Sequence, residues 1–237
     1  MNINEFLIPK MNPDLEFTYE NRTSNIDLDF MRQVQELRDI GLSNWTHNIN
    51  NPYGLLEWQE QPGRYYSLWH ASNKFSNLPA DFVQVGVYIG EQAYYMAKGC
   101  KTTLHLFDSF EGNSKVTEND NRRYLENNFS KGTLEKCQET LSSFNNIKYW
   151  KGWVPDNFDK VEKISLLSVD VDLYEPTKAT LESLWDKVIP GGAVMVDMHN
   201  GFAYGAAMAA KEFFAMKINI DTTILPSGVL LVIRDTD

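Results

Sequence analysis

Two apolar runs, each ending in acid and separated by one helical stretch, constrain this chain more than any other feature. Ile164-Ser165-Leu166-Leu167-Ser168-Val169-Asp170-Val171-Asp172 ends one run, and Gly191-Gly192-Ala193-Val194-Met195-Val196-Asp197 ends the next. Between them, Glu175 to Ile189 is helical in pattern and is closed by Pro190-Gly191-Gly192. This is a β-α-β unit, whose right-handed crossover lays the two strands side by side or nearly so. Both runs carry their acids at the carboxyl end, the edge where open α/β sheets bind ligands. Asp170, Asp172 and Asp197 are therefore expected to meet in one crevice.

The same alternation extends from Asp81 onward. Strands are expected at 82–88, 103–108, 146–151, 164–170, 192–197, 220–225 and 229–234, and helices at 91–98, 117–130, 133–143, 176–188 and 204–217. Such alternation predicts an α/β fold: a Rossmann-like, doubly wound, mostly parallel seven-stranded sheet. Only Pro226-Ser227-Gly228 separates the last two strands, so the sheet should finish in an antiparallel hairpin. Residues 1–80 differ. They are rich in Asn and aromatic residues, with helical character at 26–40 and 64–77 and turn signals at Asn50 to Gly54 and Gln61-Pro62-Gly63. They are read as a helical N-terminal cap or extension, with 81–237 as the core.

Charge and size narrow the classes of function. A chain of 237 residues suits one domain with a full core. The net charge of −10 argues against a nucleic-acid backbone or an anionic membrane surface as partner. No run of 18 apolar residues offers a membrane span. Met1-Asn2-Ile3-Asn4-Glu5 lacks the basic region and apolar core of a signal peptide. Cys100 and Cys137 stand in no metal-like spacing and read as reduced thiols, so a cytoplasmic protein is expected.

Gln84-Val85-Gly86-Val87-Tyr88-Ile89-Gly90 joins the first sheet strand to a helix. Glycines there admit a ligand to the backbone, and the helix start offers unpaired N–H groups. The pattern is G-x-x-x-G, without the third glycine of a dinucleotide cradle. Asp108, opening Asp108-Ser109-Phe110-Glu111-Gly112, follows Gly86 by 22 residues, the interval of an acid that binds ribose. Adenosine without a pyrophosphate fits this pair better than a dinucleotide does; the alternative for Asp108 is a helix N-cap.

Taken in order, Gly-Val-Tyr-Ile-Gly, Asp-Ser-Phe-Glu-Gly, Lys151-Gly152-Trp153, Asp170-Val171-Asp172-Leu173-Tyr174-Glu175-Pro176-Thr177 and Pro190-Gly191-Gly192 through Asp197 resemble the macrocin O-methyltransferase (TylF-like) family. That resemblance, over roughly residues 64 to 217, implies an S-adenosylmethionine-dependent enzyme that methylates sugar hydroxyls on natural products. Carried over residue by residue, it implies Gly86 and Gly90 along the methionine and ribose of the cofactor, with Gln84 where an acid is usual. It implies Asp108 on the ribose with Ser109 beside it, and Gly152 and Trp153 near the adenine or walling the pocket, a plain core role being the alternative for Trp153. It further implies Asp170 and Asp197 as ligands of a Mg2+-type cation and Asp172 as general base.

The chemistry is coherent: a bound cation stabilises an alkoxide, a nearby carboxylate takes the proton, and hard cations want clustered oxygens. The chain departs from the family where an Asp-Asp pair is expected and Asp197-Met198 stands, since a thioether is a poor magnesium ligand. His199 and Asn200 follow, so a ring nitrogen or an amide oxygen is the alternative ligand there, and His199 is otherwise a second candidate base. The leading expectation is an S-adenosylmethionine-dependent O-methyltransferase acting on a small-molecule hydroxyl and working as a homo-oligomer. An NAD(P)-dependent oxidoreductase, or a cofactor-binding domain that has lost its metal site and activity, are the rivals. Aromatics including Trp45, Trp58, Tyr65, Tyr66 and Trp69 read either as a sugar platform or as helix interface.

Overall fold

The computed structural model describes residues 54–121, 124–198, 203–225 and 227–236, with side chains from Arg64 on. The elements run α1 (Gly54–Phe75), β1 (Asp81–Val85), α2 (Glu91–Gly99), β2 (Leu104–Asp108), α3 (Leu134–Thr140), β3 (Ile147–Lys151), β4 (Ile164–Val169), α4 (Tyr174–Leu184), β5 (Val188–Asp197), α5 (Tyr204–Ala215), β6 (Ile220–Ile224) and β7 (Val229–Arg234). They build one seven-stranded sheet in the order β3-β2-β1-β4-β5-β7-β6. β1 to β5 pair in parallel, and β7 runs antiparallel to both β5 and β6. The expected doubly wound sheet with its terminal hairpin is present.

Strand periodicity explains why the core has two layers. Successive residues point to opposite faces, so Leu166, Ala193 and Leu231 enter one apolar layer while Leu167, Val194 and Val232 enter the other. On the first face, Tyr65, Tyr66, Leu68, Ala71 and Phe75 of α1 pack with Tyr95 and Met96 of α2. On the second, Leu181 and Leu184 of α4 and Ala210 and Phe214 of α5 close the sheet. β4 is buried at every position because helices cover both its faces. Each such side chain contributes about 1.5–3 kcal/mol on leaving water. The small residues of α5, Gly205, Ala206, Ala209 and Ala210, are all buried, which is close packing and nothing more.

Three local expectations differ from the structure. Where a helix is expected at 117–130, the described residues 117–121 and 124–130 form turns and irregular chain. Asn, Asp and Thr side chains there bond the backbone in place of a helical ladder: Asp120 Oδ2 accepts from Thr117 N and Oγ1, and Asn128 Oδ1 accepts from Leu125 N. Gln61-Pro62-Gly63 does not interrupt α1, since a proline costs a helix one hydrogen bond without forbidding it. Pro190-Gly191-Gly192 lies inside β5, where the register against β4 shifts between Ile164 and Leu166. The expected helix at 26–40, the turn at 50–53, and Trp45 lie outside the described residues.

Candidate active site

The carboxyl ends of β1, β2 and β4 open into a cavity of about 510 Å³, a volume suited to a cofactor-sized ligand. The chain turns sharply at its floor. Gly86 has φ +82°, and a Cβ there would fall 1.9 Å from the Asp170 carbonyl oxygen. Only glycine allows β1 and β4 to end this close together. Among non-glycine residues, Tyr88, Phe110 and Asp172 also hold positive φ, at 54°, 53° and 60°. For Tyr and Phe this is strained backbone, gathered here at the ligand edge.

Apart from Gly90, the residues expected to hold a cofactor are drawn together around this floor. Asp108 Oδ2 accepts from the N–H groups of Val87 and Tyr88 at 2.6 and 2.9 Å, and Oδ1 accepts from Phe110 N at 2.6 Å. Its carboxylate thus ties the glycine turn to the loop after β2, using three of roughly four lone-pair directions and leaving one for a ligand hydroxyl. Ser109 Oγ donates to Gly112 O and accepts from Glu111 N, shaping the same loop. Gln84 Nε2 donates to Gly86 O, whereas its Oε1 is buried in the cavity wall without a hydrogen-bond partner among the described residues. A buried acceptor left without a donor is costly, and a ligand N–H would satisfy it.

Gly152 N donates to Asp108 O, and Trp153 lines the cavity with 40 % of its surface exposed, so it is wall and not core. Gly90 begins α2 at φ +90° and faces Cys137 and Leu141, away from the cavity lining. These side chains form a pocket with a flat indole, a buried amide acceptor and a tethered carboxylate, and they fit an adenosine-bearing sulfonium cofactor.

Asp170 and Asp172 line the cavity, and Asp197 ends β5, the strand beside β4. Asp170 Oδ2 accepts from Gln92 Nε2 at 2.6 Å, Asp172 Oδ1 accepts from the Tyr124 hydroxyl at 2.9 Å, and Asp197 Oδ2 lies 3.3 Å from Arg64 Nε. The Tyr124 phenol is held well above its ordinary pKa by burial first, then by Asp172, with Asp170 and Asp197 adding to the effect. Among the described residues, no three His, Cys, Asp or Glu side chains gather as a metal cluster. Met198 packs against the apolar layer of α4 and α5, and His199 and Asn200 lie outside the described residues.

Sequence reasoning missed Arg64, Glu91, Gln92 and Tyr124, and had Tyr65 only among the N-terminal aromatics read as a sugar platform or helix interface. Tyr65 donates to Glu91 Oε2 at 2.6 Å in the cavity wall, and burial raises the Glu91 carboxyl above its usual range. Glu91 and Gln92 stand just after the glycine turn, a signal legible in hindsight. Arg64 and Tyr124 come from segments with no motif, so no sequence signal marked them.

Comparison with known proteins agrees with this architecture. The chain is 29% identical over 141 residues to the demethyldecarbamoylnovobiocin O-methyltransferase of Streptomyces niveus, covering 52% of this chain and 53% of that protein. It is 25% identical over 138 residues to the 8-demethyl-8-(2,3-dimethoxy-alpha-L-rhamnosyl)-tetracenomycin-C 4'-O-methyltransferase of Streptomyces olivaceus, covering 51% and 53%. The matches span about half the length of these curated relatives. In structure, the calicheamicin methyltransferase CalS11 superposes with a TM-score of 0.64 at 17% identity, over 94% of this chain and 95% of that one, which shows a common fold. The family model for macrocin-O-methyltransferase (TylF) matches residues 70–226, a span holding the glycine turn, Asp108 and all three acids, and the chain belongs to that family.

Proposed function

We propose that this chain is an S-adenosylmethionine-dependent O-methyltransferase whose acceptor is a hydroxyl on a sugar or glycosylated small molecule. The observation that carries it is the shared cavity: a pocket of cofactor-sized volume at the ends of β1 and β2 is also lined by Asp172, just after β4. Family membership and the sugar-linked acceptor named for the Streptomyces olivaceus relative support the reaction and the acceptor class. They favour this reading over an oxidoreductase.

When bound, S-adenosylmethionine would supply an electrophilic methyl on a sulfonium, the C–S bond breaking to leave a neutral thioether as the C–O bond forms. Asp108 would offer its remaining lone pair to the ribose, Gln84 Oε1 would accept from the ammonium group, and Trp153 would wall the adenine. Asp172 accepts the proton of the acceptor hydroxyl, with Tyr124 holding one of its oxygens in place; His199 remains the second candidate base. Reactants held in line gain much of their rate from orientation alone.

No helix of the described residues is long and apolar enough to cross a membrane. With the buried thiols of Cys100 and Cys137, this supports a cytoplasmic enzyme. The charge of −10 supports a partner set without nucleic acid or membrane. A homo-oligomer would cover the exposed Met216, Ile218 and Ile224 beside the outer strand β6.

Calorimetry with S-adenosylmethionine and S-adenosylhomocysteine tests the reading directly. Stoichiometric binding of both is expected, and binding of neither, with NADH bound instead, would sink it.

A further inference from the structure

Arg64 lies in the cavity wall, and its side chain is 7% exposed. Its partner Asp197, 5% exposed, is the residue for which the family pattern implies a cation ligand. A guanidinium does not deprotonate in proteins, so a permanent positive charge is buried at this spot. Two independent features of the chain point the same way. The position beside Asp197 carries Met198, which removes a carboxylate from the expected ligand pair, while α1 delivers Arg64 to the carboxylate that remains. The contacts of the other two acids include the neutral donors Gln92 on Asp170 and Tyr124 on Asp172.

We propose that Arg64 takes the place of a divalent cation in this chain, neutralising Asp197 and presenting the fixed positive charge that stabilises the acceptor oxygen as it loses its proton. Methyl transfer then needs no metal ion. This rests on the methyltransferase reading and adds no reactant to its balance. A cation fixed by the fold is preorganised where negative charge develops, which is how enzymes gain most from electrostatics. It also repels a second cation, because like charges in a buried site are weakly screened. Arg64 is not reached from the glycine turn or the strand ends but from the helix that precedes β1, so the device depends on how α1 docks against the sheet.

The test uses the full-length protein loaded with S-adenosylhomocysteine and titrated with Mn2+, following the free-ion signal by electron paramagnetic resonance. Failure to bind S-adenosylhomocysteine counts against the methyltransferase reading and is seen before any metal is added. With the ligand bound, wild type should take up no stoichiometric Mn2+ below millimolar concentration. Arg64→Gln, close in shape and without charge, should bind Mn2+ at least tenfold tighter, and Arg64→Lys should behave as wild type. One equivalent of Mn2+ taken up by wild type at micromolar concentration overturns the proposal, as does an Arg64→Gln variant with unchanged Mn2+ affinity. Should Arg64→Gln fail to fold, the wild-type and Arg64→Lys titrations still decide, tight uptake in either refuting the idea.

Discussion

The hydroxyl of Tyr124 donates to Asp172 Oδ1 across 2.9 Å, joining a loop of turns to the end of β4. The bond orients the carboxylate that would accept the acceptor proton, and it is buried on both sides. A hydrogen bond to a charged group contributes about 1.5–3 kcal/mol. If that bond serves the reaction, Tyr124→Phe should lower kcat by roughly 10- to 150-fold and leave S-adenosylhomocysteine affinity unchanged. Asp172→Asn should go further, by roughly 10²–10⁴-fold, the usual contribution of a general base. Steady-state kinetics paired with calorimetry separates the two effects; an Asp172→Asn enzyme with full kcat would transfer the base to His199.

Gly86 is the second test. Its φ of +82° and the 1.9 Å approach of the Asp170 carbonyl leave an added methyl group nowhere to go. Gly86→Ala should push the β1 turn away from β4, breaking the pocket floor and destabilising the fold by more than about 1 kcal/mol. Urea denaturation should report the loss, and S-adenosylhomocysteine binding should weaken at least tenfold. Intact binding would mean that the floor yields more than its packing implies.

These two sites show what a sequence can and cannot reveal. β1, β2, β4 and β5, and the acids at their ends, were legible because buried parallel strands read as continuous apolar runs and because glycine marks the turn after β1. The loop at 117–130 was not, since its apolar spacing mimics a helix while the competition from Asn, Asp and Thr side chains shows only in three dimensions. Arg64 and Tyr124 reach Asp197 and Asp172 across 133 and 48 residues of chain. No local pattern encodes such contacts; they follow from docking α1 and the turn segment against the sheet. Trp153 illustrates the opposite case: its motif was visible, but its place in the cavity wall depended on where the chain goes after β3.

Asp120 gives a third prediction, for stability. It sits in the turn segment, yet its Oδ1 accepts from Tyr174 N at 2.7 Å and so caps the start of α4, just beyond Asp172. A Cβ on Gly205 would fall 2.1 Å from that same oxygen, so α5 closes over it. Asp120→Ala should cost at least about 1.5–3 kcal/mol, the contribution of a charged hydrogen bond. Chemical denaturation measures it, and an unchanged midpoint would show that the turn segment is not tied to α4.

The last prediction concerns pH and lies away from the cavity. Trp150 Nε1 donates to His105 Nδ1 at 3.1 Å, which places the ring proton on Nε2, 3.2 Å from Asp81 Oδ2. Burial lowers the His105 pKa and outweighs the opposing pull of Asp81. The folded state therefore holds this ring neutral at a pH where the unfolded chain, near ~6.5, has begun to take up a proton. Stability from this group is fully present above the unfolded value and is lost as pH falls through the lower, folded value. A second ring proton would also point at the Trp150 N–H, replacing an acceptor with a donor. Wild type should consequently lose stability as pH drops below about 6.5, and His105→Gln, which cannot titrate, should show a shallower decline over the same window. Urea midpoints for both proteins from pH 7.5 to 5 decide it: parallel curves would mean that His105 makes no contribution to the acid limb.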